Sequence, residues 1–164
     1  MGTGKSSVGR LVADQLRFTF LDTDEVIEAR AGKSIGDIFA QDGEAAFRAW
    51  ERRVTEELSA RKNTVIATGG GLVASEENLA SLKTHALVVC LWATPEKIWE
   101  RVRHQTHRPL LNDPDPLAKI RQLLLDRQSY YRQADVLMNT ATRSLNEVAH
   151  QVIHQFNLAR STRR

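Results

Sequence analysis

Close to its amino terminus the chain reads Gly2-Thr3-Gly4-Lys5-Ser6-Ser7. Glycines at this spacing let backbone N–H groups turn toward phosphate oxygens. Lys5 would then reach the β and γ phosphates, and the Ser6 hydroxyl would hold Mg²⁺. A helix starting there aims its positive end at the same anions. A plain helix-capping turn is the competing reading of so short a string. The string matches only the second half of the phosphate-loop pattern. The earlier glycine and the apolar strand before it are not in this sequence. The expectation is that a first, central strand is missing from this chain and that the loop is poorly anchored.

Other chemistry is spread along the chain. Asp22 and Asp24 close a short apolar run, so alternation points both side chains the same way. Two neighbouring carboxylates repel unless a cation or substrate shares them; either one could instead cap the helix that follows. Arg48 precedes Glu51 by three residues. That is either an ordinary surface ion pair or a guanidinium fork held in place and aimed at a carboxylate. Three glycines, Gly69, Gly70 and Gly71, follow an apolar run. Three glycines cost conformational entropy, so close approach of a ligand is a better reason for them than a loose turn. Arg108 sits in a proline-rich polar stretch, and Arg127 comes just before Tyr130 and Tyr131.

These residues need a frame. Apolar runs at 18–21, 64–67 and 86–92 suit buried parallel strands, and 135–139 suits a last short one. Helical patterns alternate with them. One runs from Ser7 to Leu16, one from Glu25 to Ala31, and one from Glu44 to Arg61 with Phe47, Val54 and Leu58 on one face. Thr94 and Pro95 start another helix. The pattern from Pro116 to Tyr131 predicts a single long helix. Ser144 with Glu147 is a capping box for the final one. Such alternation means α/β, a three-layer sandwich with a mainly parallel sheet covered on both faces; with the glycine loop, the expected type is the P-loop NTPase. Residues 105–116 read as a polar loop.

Taken in order, the segments at 2–7, 21–24 (Leu-Asp-Thr-Asp), 34–39 (Ser-Ile-Gly-Asp-Ile-Phe), 43–51 (Gly-Glu-Ala-Ala-Phe-Arg-Ala-Trp-Glu), 68–71 (Thr-Gly-Gly-Gly), 108–111 (Arg-Pro-Leu-Leu) and 127–131 (Arg-Gln-Ser-Tyr-Tyr) resemble shikimate kinases. The resemblance runs from Gly2 to about Arg143. It implies one kinase domain over 1–164, with a substrate-binding helical region at about 25–61 and a lid at about 105–116. It implies transfer of the ATP γ-phosphoryl group to a hydroxyl of shikimate, with ATP and Mg²⁺ required. Gly2, Thr3, Gly4, Lys5, Ser6 and Ser7 would hold the nucleotide, with Arg108 from the lid and Arg143 near the adenine. Ser6 and Asp22 would serve the metal. Asp24, Arg48, Gly69, Gly70, Gly71 and Arg127 would bind shikimate, the two arginines clamping its carboxylate. Lys5, Asp24 and Arg108 would be catalytic, Asp24 as the group able to take the hydroxyl proton.

Composition narrows the alternatives. The 164 residues carry a net charge of +3 and 41% apolar residues. No apolar run approaches the roughly 20 residues a membrane helix needs. The arginines are scattered, which argues against a nucleic-acid surface. A monomeric cytoplasmic enzyme is the expectation. Cys90 lies in an apolar run and reads as an inert buried thiol. His150 and His154 are four apart, but without a third ligand in sequence they read as a polar helix face. The rival readings are a kinase of another small anionic metabolite, such as a sugar acid or a nucleoside monophosphate, and a truncated relic that binds without catalysing.

Overall fold

A computed structural model of the chain describes residues 2–72, 75–104 and 113–162. The element α1 (Lys5–Leu16) starts after Gly4, whose φ of 89° is the left-handed conformation that glycine adopts without strain. Strand β1 (Thr19–Asp22) follows. Asp22 ends that strand and also caps α2 (Thr23–Ala31), its side chain accepting from the Asp24 N–H; Gly32 closes the helix in the left-handed conformation. A one-turn α3 (Ile35–Asp37) leads through a π-type turn, Ile38–Asp42, into α4 (Gly43–Ser59). Strand β2 (Thr64–Ala67), α5 (Glu76–His85) and β3 (Val89–Trp92) come next. Helix α6 (Pro95–Val102) begins with Thr94 as cap and Pro95 in the first turn, as its sequence predicts. Then follow α7 (Pro116–Asp126), α8 (Gln128–Tyr131), β4 (Val136–Asn139) and α9 (Leu145–Thr162). The capping box forms: the Ser144 N–H and hydroxyl both donate to Glu147, and the Glu147 N–H donates back to Ser144 Oγ at 3.3 Å.

The α/β architecture with parallel strands is as expected, but the sheet is divided. β1 pairs with β2 in parallel, β3 pairs with β4 in parallel, and β2 and β3 are not hydrogen-bonded to each other. One helical layer spans the division. Val8 and Val12 of α1 and Val148 and Ala149 of α9 form a core that Val65 of β2, Val89 and Leu91 of β3 and Val136 of β4 all pack against. A second core, Ile27, Ile38, Phe47, Val54 and Leu58, fixes α2 and α4 beside β1 and β2. A third, Ala93, Ile98, Val102 and Ile120, joins α6 to α7.

Two local expectations are corrected. The long helix over 116–131 breaks at Arg127, whose φ of −105° and ψ of 1° leave the α region and turn the chain. Helix α5 was not anticipated: its apolar residues Leu79 and Leu82 are too few to give a helical period. The predicted lid at 105–116 lies largely outside the described residues, and Arg108 with it. Among the described residues no helix is long and apolar enough to cross a membrane.

Candidate active site

The glycine loop and the carboxyl ends of the strands meet. Gly2 and Gly4 both have positive φ, 66° and 89°, which turns successive N–H groups to one side ahead of the α1 amino terminus. Thr3 between them is buried. Arg101 of α6 anchors the loop by donating to the Gly2 carbonyl at 3.3 Å, while also donating to Thr140 Oγ1 at 3.0 Å and the Thr140 carbonyl at 2.5 Å. Sequence reasoning missed Arg101, since 99 residues separate it from Gly2 and no motif marks it.

Asp22 serves both roles that its sequence left open. Its Oδ1 accepts the Asp24 N–H at 3.1 Å as a helix cap, and its Oδ2 accepts the Ser6 hydroxyl at 2.7 Å. Two hard oxygens on the rim of a phosphate loop fit Mg²⁺, which binds through few protein ligands and completes its shell with phosphate and water. Among the described residues no group of three or more His, Cys, Asp or Glu could hold a metal by itself.

Asp24 is raised from the ordinary aspartate value of 3.8 to about 6. Burial is the main cause, and the negative charges of Asp22, Glu51 and Glu28 add to it, while Lys5 pulls the other way. Asp24 thus lies within electrostatic reach of Lys5 in the phosphate loop and of Glu51.

Arg48 is held from both sides of its turn. Its Nη1 donates to Glu51 Oε2 at 2.5 Å, and its Nη2 donates to Glu44 Oε1 at 2.8 Å. Burial opposes the guanidinium charge, but these hydrogen bonds outweigh it and hold the pKa above the usual range. Glu51 is buried to 2% exposure, and burial raises its pKa against the opposing pull of Arg48 and Arg127. Its Oε1 has no hydrogen-bond partner among the described residues. An unsatisfied buried carboxylate oxygen is costly, so this atom points to a donor that arrives with a ligand or water.

The glycine triplet fits this cluster closely. A Cβ on Gly69 would lie 2.8 Å from Asp24 Oδ1 and 3.4 Å from Glu51 Oε1. A Cβ on Gly71 would lie 2.5 Å from Arg48 Nη1. The space at these two glycines is therefore taken by the protein's own charged heads. Gly69 donates its N–H to the Thr23 hydroxyl at 3.0 Å, and the Gly70 carbonyl accepts the Tyr131 hydroxyl at 3.0 Å. The second contact ties the glycine turn to α8, the short helix that begins after Arg127.

Thus Lys5, Ser6, Asp22, Asp24, Arg48, Gly69, Gly70, Gly71 and Arg127 gather at one end of the strands, with Arg127 close enough to lower the Glu51 pKa. Ser7 is exposed on α1. Arg143 is exposed at the end of β4 and donates to the Asn139 carbonyl at 3.0 Å. His150 and His154 are exposed on α9. Thr23 and Tyr131 are the further residues that hold the turn. The Tyr-Tyr pair after Arg127 was the available signal for Tyr131; nothing in the sequence marked Thr23.

A glycine phosphate cradle at a helix start, at the carboxyl ends of parallel strands and beside an acid–base and arginine cluster, defines an ATP-dependent phosphotransferase of the P-loop class. The model of the shikimate kinase family matches residues 1–157, and the chain belongs to that family. It is 42% identical over 156 residues to a shikimate kinase of Thermodesulfovibrio yellowstonii, covering 95% of this chain and 90% of that one. Over 146 residues it is 47% identical to a shikimate kinase of Thiobacillus denitrificans, covering 88% and 80%. The structure of a shikimate kinase from Acinetobacter baumannii in complex with shikimate superposes with a TM-score of 0.90 at 37% identity, covering 98% of this chain and 89% of that one.

Proposed function

We propose that this chain transfers the γ-phosphoryl group of ATP to a hydroxyl of shikimate, giving shikimate 3-phosphate. The carrying observation is the meeting of the Arg48–Glu51 pair, Asp24 and the glycine triplet beside the phosphate loop. Arg48 and Arg127 fit a carboxylate, Asp24 fits a hydroxyl, and Gly70 offers backbone at the turn. The shikimate complex of the structural relative supports this choice of substrate.

Phosphoryl transfer has a loose transition state, so placement and charge neutralisation dominate its catalysis. Gly2 to Ser7 hold the phosphates. Lys5 faces the transferred group and also lies within electrostatic reach of Asp24. Ser6 and Asp22 would hold Mg²⁺, which when bound neutralises phosphate charge. Asp24 accepts the hydroxyl proton as the hydroxyl attacks. In this reading Arg108 neutralises the transferring group from the 105–116 lid, Arg143 lies toward the adenine, and the helices over 25–61 form the substrate side. The reading also makes the protein a cytoplasmic monomer that uses no nucleic acid.

The direct test is incubation of the chain with MgATP and shikimate, followed by phosphorus NMR. A new phosphate monoester that requires both reactants is expected. No turnover of ATP with shikimate bound favours the second reading, a chain that binds without catalysing; the divided sheet is the observation on its side.

A pH profile follows from Asp24. The base must be ionised, and its pKa in the free protein is about 6. The kcat/KM for shikimate should therefore fall tenfold per pH unit below about 6 and level off above it. A profile flat down to pH 4 would remove Asp24 as the base.

Gly71→Ala gives a positional test. Its new Cβ would push against Arg48 Nη1. The guanidinium must shift, so KM for shikimate should rise about tenfold to a hundredfold, with KM for ATP unchanged. Equal losses for both substrates would mean that the turn collapses instead.

A further inference from the structure

The Arg48 guanidinium has two edges on which parallel N–H bonds can grip a carboxylate: Nε with Nη2, and Nη1 with Nη2. The protein's own carboxylates engage both. Glu44 Oε1 accepts from Nη2 at 2.8 Å and from Nε at 3.3 Å, so one oxygen sits across the whole first edge. Glu51 Oε2 accepts from Nη1 at 2.5 Å on the second edge, and Gly71 packs against the same end. The Nε–Nη2 edge is open to a ligand carboxylate only when Glu44 has left it.

The two glutamates differ in how readily they can leave. Glu51 is 2% exposed and Glu44 is 68% exposed. Moving Glu51 would break a pair at a buried charge, whereas moving Glu44 exchanges an exposed ion pair for water, an interaction of small net value. A released Glu44 also keeps a favourable position. It lies in the first turn of α4, where Asp42 makes no side-chain cap and is paired with Lys33 instead. The positive end of the helix favours a carboxylate there. Arg48 does not depend on Glu44 for its place. Glu51 still holds Nη1, and the Phe47 ring centroid lies 5.5 Å from Cζ.

We infer that Glu44 is a resident competitor for the substrate carboxylate. In the empty site it occupies the Nε–Nη2 edge of Arg48, and it swings to solvent when the substrate carboxylate takes that edge. This inference rests on the reading that Arg48 faces that carboxylate. Its consequence is on affinity. Each binding event exchanges one carboxylate for another on the same donors, so Arg48 contributes less than an unoccupied fork would. Substrate and product both carry the carboxylate, and return of Glu44 to Arg48 favours the release of either. Most of the effect belongs in the dissociation rate.

The test is calorimetric titration of the full chain and of its Glu44→Gln variant with shikimate. Glutamine keeps the length and removes the charge. Shikimate should bind the variant about threefold to tenfold more tightly, with KM for shikimate falling in parallel and ATP affinity unmoved. The same substitution is then made in the Arg48→Ala/Glu51→Gln background, which lacks the fork and its buried partner. There it should change shikimate affinity by less than about twofold, since Glu44 acts through Arg48. Weaker or unchanged binding by Glu44→Gln in the otherwise native chain overturns the inference, because Glu44 would then support Arg48 or do nothing. Equal tightening in both backgrounds overturns it too, because general charge repulsion would explain that. These results leave the substrate reading standing. If the native chain binds no shikimate, that reading falls and this inference falls with it.

Discussion

Replacing Asp24 with asparagine should lower kcat by about 10²–10⁴ and raise the stability of the fold at neutral pH. The activity loss is that of a positioned general base. The stability gain follows from linkage. The folded pKa is about 6 against an ordinary 3.8, so between those values the folded state binds the proton more tightly than the unfolded chain. Stability linked to the protonated form is complete below 3.8 and is lost as pH rises through about 6. At pH 7 the ionised, half-buried Asp24 is therefore a burden, on the order of 1–3 kcal/mol. Asparagine keeps the shape without the charge. Denaturant melts at pH 4 and pH 7 beside single-turnover rates would check both halves. A variant that loses activity and stability together at pH 7 would mean that Asp24 holds the fold, not the reaction.

Arg48→Ala should weaken shikimate binding by about a hundredfold or more, the scale for truncating a bidentate carboxylate partner, with ATP affinity unchanged. It should also destabilise the protein, because Glu51 would remain buried with its main counter-charge gone. Arg48 is 35% exposed, so about 1–3 kcal/mol is expected, short of the full buried-pair figure. Adding Glu51→Gln should restore most of that stability and none of the shikimate affinity. Calorimetric titration and thermal melts of the single and double variants separate the two effects. If the double variant regains binding, Arg48 only neutralises Glu51 and does not face the substrate.

Local chemistry was legible in the sequence wherever it depends on neighbours in the chain. The glycine loop, the Thr94–Pro95 helix start and the Ser144–Glu147 box are patterns of adjacent residues, and all three form. The β1 and β2 runs were visible because buried parallel strands are short and apolar throughout. Contacts between distant segments were not legible. Arg101 reaching Gly2, Tyr131 reaching Gly70 and Thr23 reaching Gly69 each bridge 46 or more residues. The break at Arg127 was hidden as well, since helical periodicity continues through it while the backbone turns. The glycine triplet was read as space for a ligand; two of its members also make room for Asp24 and Arg48, which the sequence did not show.

The claim on which the rest depends is that Arg48, Arg127 and Asp24 form one pocket for a carboxylated polyol. Calorimetric titration of the chain with shikimate, and separately with its methyl ester, tests this most directly. The ester keeps the ring and hydroxyls but removes the negative charge. The account predicts saturable binding of shikimate and binding of the ester weaker by about a hundredfold or more. Equal affinity for the two would contradict it.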